Sequence, residues 1–100
     1  MGSAASIVGV ISISLEDKSK VKEILATDDF EKEFIASLAV LPIIVEGYGF
    51  DTIPFAMEKK ANQQDIEEWF LTYEAILKKL PFAFSEVYVS IDVGKPLRYY

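Results

Sequence analysis

Chemistry in this 100-residue chain rests on carboxylates, hydroxyls and a few lysines, because it contains neither histidine nor cysteine. Without histidine there is no Ser-His-Asp triad, no imidazole-ligated zinc and no general base tuned by default to neutral pH. Without cysteine there is no thiolate nucleophile, disulfide framework or thiolate metal site. What remains is acid–base work by Asp, Glu, Tyr, Ser and Lys, which demands strongly perturbed pKa values. The carboxylate pairs read otherwise: Asp28 beside Asp29, and Asp65 with Glu68 one helical turn on, sit where capping and the helix dipole favour acids. Glu46 and Asp92 are candidates to meet and hold a divalent cation, but no Asp-x-Asp-x-Asp-Gly loop supports them, and no metal or cofactor is expected. Gly47 and Gly49 are followed by no helix opening of the phosphate-cradling kind. The sequence therefore reads as a protein that is not an enzyme.

Partners are constrained by charge. The net charge is −6, with eight acids against four bases in residues 1–50 and eight against six in residues 51–100. Such a surface repels phosphate backbones and anionic headgroups, so neither nucleic acid nor membrane is expected as a partner. Lys95, Arg98, Tyr99 and Tyr100 form the one basic-aromatic cluster, and four terminal residues are a slight footing for RNA recognition. Met1–Ser6 matches an N-myristoylation pattern but reads better as a cloning scar or a disordered start, since nothing polybasic follows. No signal peptide or apolar run of about 20 residues is present, and a cytoplasmic location is expected.

The elements that must position these groups follow from hydrophobic period. Ile7–Leu15 alternates, with Ile7, Ile11, Ile13 and Leu15 on one side and Val8, Val10, Ser12 and Ser14 on the other. Val21, Ile24 and Leu25 recur at helical spacing behind Asp17, a plausible cap. The pattern breaks at Ala26 and Thr27 and resumes after an Asp28-x-x-Glu31 capping box with Phe30, Phe34, Ile35 and Leu38, so two short helices or one kinked helix are predicted. Leu41–Tyr48 and Thr52–Glu58 read as a hairpin turning at Gly47, Gly49 and Asp51. Asn62–Leu80 is an amphipathic helix capped by Asn62 with Asp65 and ended by Pro81, its stripe running through Ile66, Trp69, Phe70, Tyr73, Ile76 and Leu77. Glu86–Val93 alternates strictly, and 94–100 is a tail.

The order β-α-β-β-α-β defines an α+β fold, a two-layer sandwich of the ferredoxin-like split βαβ type with a mostly antiparallel sheet, occupying a single domain over 7–93. Pro54 strains this assignment. The third strand of such a sheet is central, where a proline removes a ladder bond, so the expectation needs a bulge at Pro54 or a different strand order. The fold alone assigns no function.

Two surfaces are candidates for recognition. The sheet face away from the helices is expected to carry Val8, Val10, Ser12, Ile44, Glu46, Tyr48, Ala56, Tyr88, Ser90 and Asp92, a mixed apolar and acidic surface. The turn at 46–51 offers Tyr48 between Gly47 and Gly49, and Phe50 after them, unless Phe50 folds back on the core. The reading that follows is a small acidic interaction domain, of inhibitor, immunity-like or adaptor type, binding another protein through that face or that hairpin. The alternative is a homodimeric regulatory domain that holds a small molecule at the subunit boundary through Ser12, Tyr88, Ser90 and Asp92.

Overall fold

The computed structural model describes residues 4–60, 62–91 and 97–99. The fold is α+β, built as an antiparallel sheet of three long strands with three α-helices. In chain order these are β1 (Ala4–Ser14), a 3-10 turn at Leu15–Asp17, α1 (Lys18–Leu25), α2 (Asp28–Leu38), β2 (Phe50–Lys60), α3 (Gln63–Leu77) and β3 (Phe84–Ile91). A short β4 (Leu97–Tyr99) adds to the far side, giving the order β2-β1-β3-β4. No described helix is long and apolar enough to cross a membrane.

Alternation places the core. Ala5, Ile7, Ile11 and Ile13 of β1, Ile53 and Phe55 of β2, and Val87 and Val89 of β3 are buried against Val21, Phe34, Leu38, Trp69, Tyr73 and Ile76 of the helices. Gly9 lies in the middle of β1, opposite Phe55 and Val87. A Cβ there would sit 2.6 Å from the Phe55 ring and 2.6 Å from the carbonyl oxygen of Glu86. Only glycine lets Phe55 lie across the central strand, where its ring meets Tyr73 at 5.3 Å and Trp69 at 6.0 Å. Trp69 stacks on Tyr73 at 5.0 Å and donates its indole N–H to the Ser37 carbonyl at 2.9 Å, so it is part of the core.

The break at Ala26–Thr27 produces two helices. Thr27, in extended conformation, is the N-cap of α2, and its hydroxyl turns back to the Glu23 carbonyl. The expected Asp28 capping box therefore does not form, and Asp28 is the first helical residue. At α3 the cap pair does form: Asn62 Oδ1 accepts from the Asp65 N–H at 3.0 Å, and Asn62 Nδ2 donates to Asp65 Oδ2 at 2.8 Å.

The expected strand over Leu41–Tyr48 is replaced by a single bridge. Val45 and Thr52 exchange both backbone bonds, at 2.7 and 2.9 Å, and the described chain makes no further pairing on that side of β2. Pro54 supplies the reason. Thr52 aims its N–H and C=O outward to Val45, so the outward positions along β2 are Thr52, Pro54, Ala56 and Glu58. The next mutual pair would be Ile43 with Pro54, and proline has no N–H to give. β2 is thus an edge strand in place of the central strand expected, and Pro54 faces its open side without costing the β1 ladder a bond.

Candidate functional site

The sheet face opposite the helices is built by the even-numbered residues of β1, β2 and β3. Register brings Val8 between Ala56 and Tyr88, Val10 between Pro54 and Glu86, Ser12 between Thr52 and Phe84, and Ser6 between Glu58 and Ser90. Val8 is 49% exposed and Tyr88 40%. Its charges lie toward the borders, at Glu58 and Lys60 on β2 and at Glu86 on β3, which Tyr88 reaches with its hydroxyl at 3.5 Å.

One end of this face is aromatic. Phe50 and Phe84 meet edge to face at 5.2 Å, and both remain partly exposed. Ser12, paired with Thr52 and Phe84, is only 3% exposed. Phe50 accordingly joins the open sheet face and does not fold back on the helical core. Nothing in its own neighbourhood predicts that choice, because its ring partner lies 34 positions along the chain.

Of the residues singled out in the sequence, the face brings together Ser12, Tyr88, Ser90 and Phe50. Asp92 lies outside the described residues. Glu46 and Tyr48 are not on the face, since no strand carries them there. Tyr48 projects wholly into solvent beside Gly49, whose φ of 79° is left-handed. Glu46 turns toward α1, where Lys18 Nζ reaches its Oε1 at 3.0 Å.

Lys18 serves two carboxylates. Its ammonium also lies 3.0 Å from Oδ2 of Asp51, off the hydrogen-bond direction, while Oδ1 of Asp51 accepts the Gly47 N–H at 3.3 Å. Asp51 is 2% exposed. Lys18 holds its carboxyl below the ordinary value of 3.8, with the Gly47 N–H assisting and burial opposing. The same contacts, with Asp51 first and Glu46 second, hold the Lys18 ammonium above 10.5. This arrangement fastens the 46–51 turn to the start of α1, and it keeps Asp51 ionised and Lys18 protonated at neutral pH, the states least suited to a general acid or a nucleophilic amine respectively. Among the described residues no group of three or more acids is placed to hold a metal ion.

A groove of about 400 Å³ opens beside β2, between the end of α2 and the flank of α3. Ser37, Met57, Glu58, Lys59, Glu68 and Trp69 contribute to its walls. No single stretch of sequence signals it, because three separated elements form it.

Comparison with family models, curated proteins and solved structures finds no match for this chain.

Proposed function

We propose that this protein is a non-enzymatic interaction domain that docks a partner protein on the open face of its sheet. The observation carrying this reading is the exposed row Val8, Tyr88, Phe84 and Phe50 on a face whose middle holds Val10, Pro54 and Ala56. A centre depleted of charge with aromatic members at its margin is the usual composition of an interface core. The order β2-β1-β3 also supports a split βαβ arrangement in which the place of the outermost strand is taken by the Val45 bridge.

Magnitudes favour a different protein over an obligate homodimer. Eight rungs at about 3.3 Å and three strands at about 4.8 Å give a plane of roughly 26 by 14 Å, roughly 400 Å² on each side. That is the scale of a transient contact, well short of the more than 2,000 Å² typical of obligate dimers. Glu58 and Glu86 on the face and a net charge of −6 on each chain oppose self-association and favour a partner with a basic rim.

The test compares capture from a lysate of the source cells by the wild type, by Val8→Asp and by Tyr88→Ala, with Leu71→Asp as control on the exposed side of α3. The expected result is a partner retained by the wild type and the control and lost by both face variants. A partner held equally by all four proteins would show that the face does not bind it.

A further inference from the structure

A second surface lies at right angles to the open face: it shares Ala56 and Glu58 with that face but uses their backbone groups and the helix-side groove instead of the exposed side chains of Val8, Tyr88, Phe84 and Phe50. β2 ends the sheet on one side, and beyond Thr52 the outward N–H and C=O groups of Ala56 and Glu58 have no backbone partner among the described residues. An unpaired strand edge is a template for another strand. At the same stretch, Met57, Glu58 and Lys59 form one wall of the 400 Å³ groove that Ser37, Glu68 and Trp69 complete. Strand addition needs both parts: backbone bonds give affinity, and a pocket for alternate side chains gives selectivity.

We infer that the β2 edge from Ala56 to Glu58 takes an extended segment of a partner protein as an added strand, with a basic side chain of that segment entering the groove. The geometry sets the placement. Residues of the incoming strand opposite Ala56 and Glu58 exchange backbone bonds, and the residue between them, opposite Met57, points to the helix side and so into the groove. There it meets the Glu68 carboxylate, with Trp69 below, whereas Lys59 one step along repels a second cation. The acidic net charge of −6 adds to the preference.

A second copy fits the edge poorly. Two β2 strands pairing with Glu58 opposite Glu58 would set like charges face to face, and a register that brings Lys60 opposite Pro54 lacks a donor.

The experiment uses the full chain and a capped heptapeptide, Thr-Val-Thr-Lys-Thr-Val-Thr, beside the same peptide with Glu in place of Lys. Binding is followed by titration and by amide exchange in NMR. The Lys peptide is expected to bind and to slow exchange at the Ala56 and Glu58 amides, and the Glu peptide to bind at least about tenfold more weakly. Ala56→Pro removes an outward donor without touching the β1 ladder, as Pro54 already does, and should weaken the Lys peptide about tenfold or more. Glu68→Lys should erase the preference for Lys over Glu. A Lys peptide N-methylated at the amides facing β2 should fail to bind the wild type, which keeps the test sharp should Ala56→Pro unfold. The inference is overturned if neither peptide binds, if both bind alike, or if the Lys peptide binds without slowing those amides or survives its N-methylation. Failure here leaves the sheet-face reading standing, because Val8→Asp and Tyr88→Ala alter neither the edge nor the groove.

Discussion

Replacing Pro54 by threonine should let the chain complete the strand it begins at Val45. The Val45–Thr52 pair is a mutual one, with both bonds short at 2.7 and 2.9 Å, so the ladder is correctly aligned where it stops. Pro54→Thr restores the missing donor and permits two new bonds to Ile43, one in each direction. Each is worth about 0.5–1.5 kcal/mol net. Losing proline frees the unfolded chain at a cost of about 0.4–1 kcal/mol, and fixing Ile43 and Ile44 in a ladder costs further entropy. These terms nearly offset, so Tm should stay within roughly 8 °C of the wild type, the shift about 1 kcal/mol gives in a domain of this size. The decisive assay is therefore local. Hydrogen exchange followed by NMR should show the Ile43 amide slowed about twofold or more relative to the wild type, and the amide newly present at position 54 exchanging more slowly than an unpaired loop amide by a similar factor, since nearly offsetting terms populate the ladder about half the time or more. If both amides exchange like those of an unpaired loop, the absent donor is not what stops the ladder.

Further predictions concern the core and the ion pair. Gly9→Ala drives a methyl into the Phe55 ring and the Glu86 carbonyl and should cost at least about 1–3 kcal/mol in urea unfolding, with Phe55→Leu relieving only the side-chain part. Tyr73→Phe removes the buried 2.7 Å bond between the Tyr73 hydroxyl and Ser85 Oγ and should cost about 1–3 kcal/mol, measured the same way. Because Asp51 in the folded protein titrates below 3.8, its contribution is complete above the unfolded carboxylate value and is lost as pH falls through the folded one. The wild type should therefore be more stable than Asp51→Asn at about pH 6 and lose that advantage progressively as pH falls below 3.8, as followed by thermal melts. Lys18 has the opposite sign: its contribution is present below 10.5 and is lost only as pH rises through its raised value.

Much of the fold was legible because it is local. The alternation of Ile7, Ile11 and Ile13, the stripe from Ile66 to Leu77 and the break at Ala26–Thr27 each state a period or an interruption within a few residues, and β1, α3 and the α1–α2 division follow. The strand expected over Leu41–Tyr48 has the right residues and fails for a reason in another segment: the side of β2 toward which Pro54 turns its nitrogen. That side is known only once Thr52 is seen bonded to Val45. The same limit governs the site. Val8, Ser12, Tyr88 and Ser90 could be assigned to one face by counting in twos along their own strands. Glu46 and Tyr48 could not, because counting requires a strand, and Glu46 is claimed instead by Lys18, 28 positions earlier. The groove and the Gly9–Phe55 approach are products of packing between distant elements, for which no single stretch of sequence carries a period.

Radical footprinting of the captured complex tests the docking face most directly. Oxidation of Tyr88, Phe84 and Phe50 is compared between free protein and complex, with Leu71 and Tyr48 as exposed residues off the face. With the partner docked on the sheet face, the three face residues become protected while Leu71 and Tyr48 stay as reactive as in the free protein. Face residues oxidised equally in both states would contradict it.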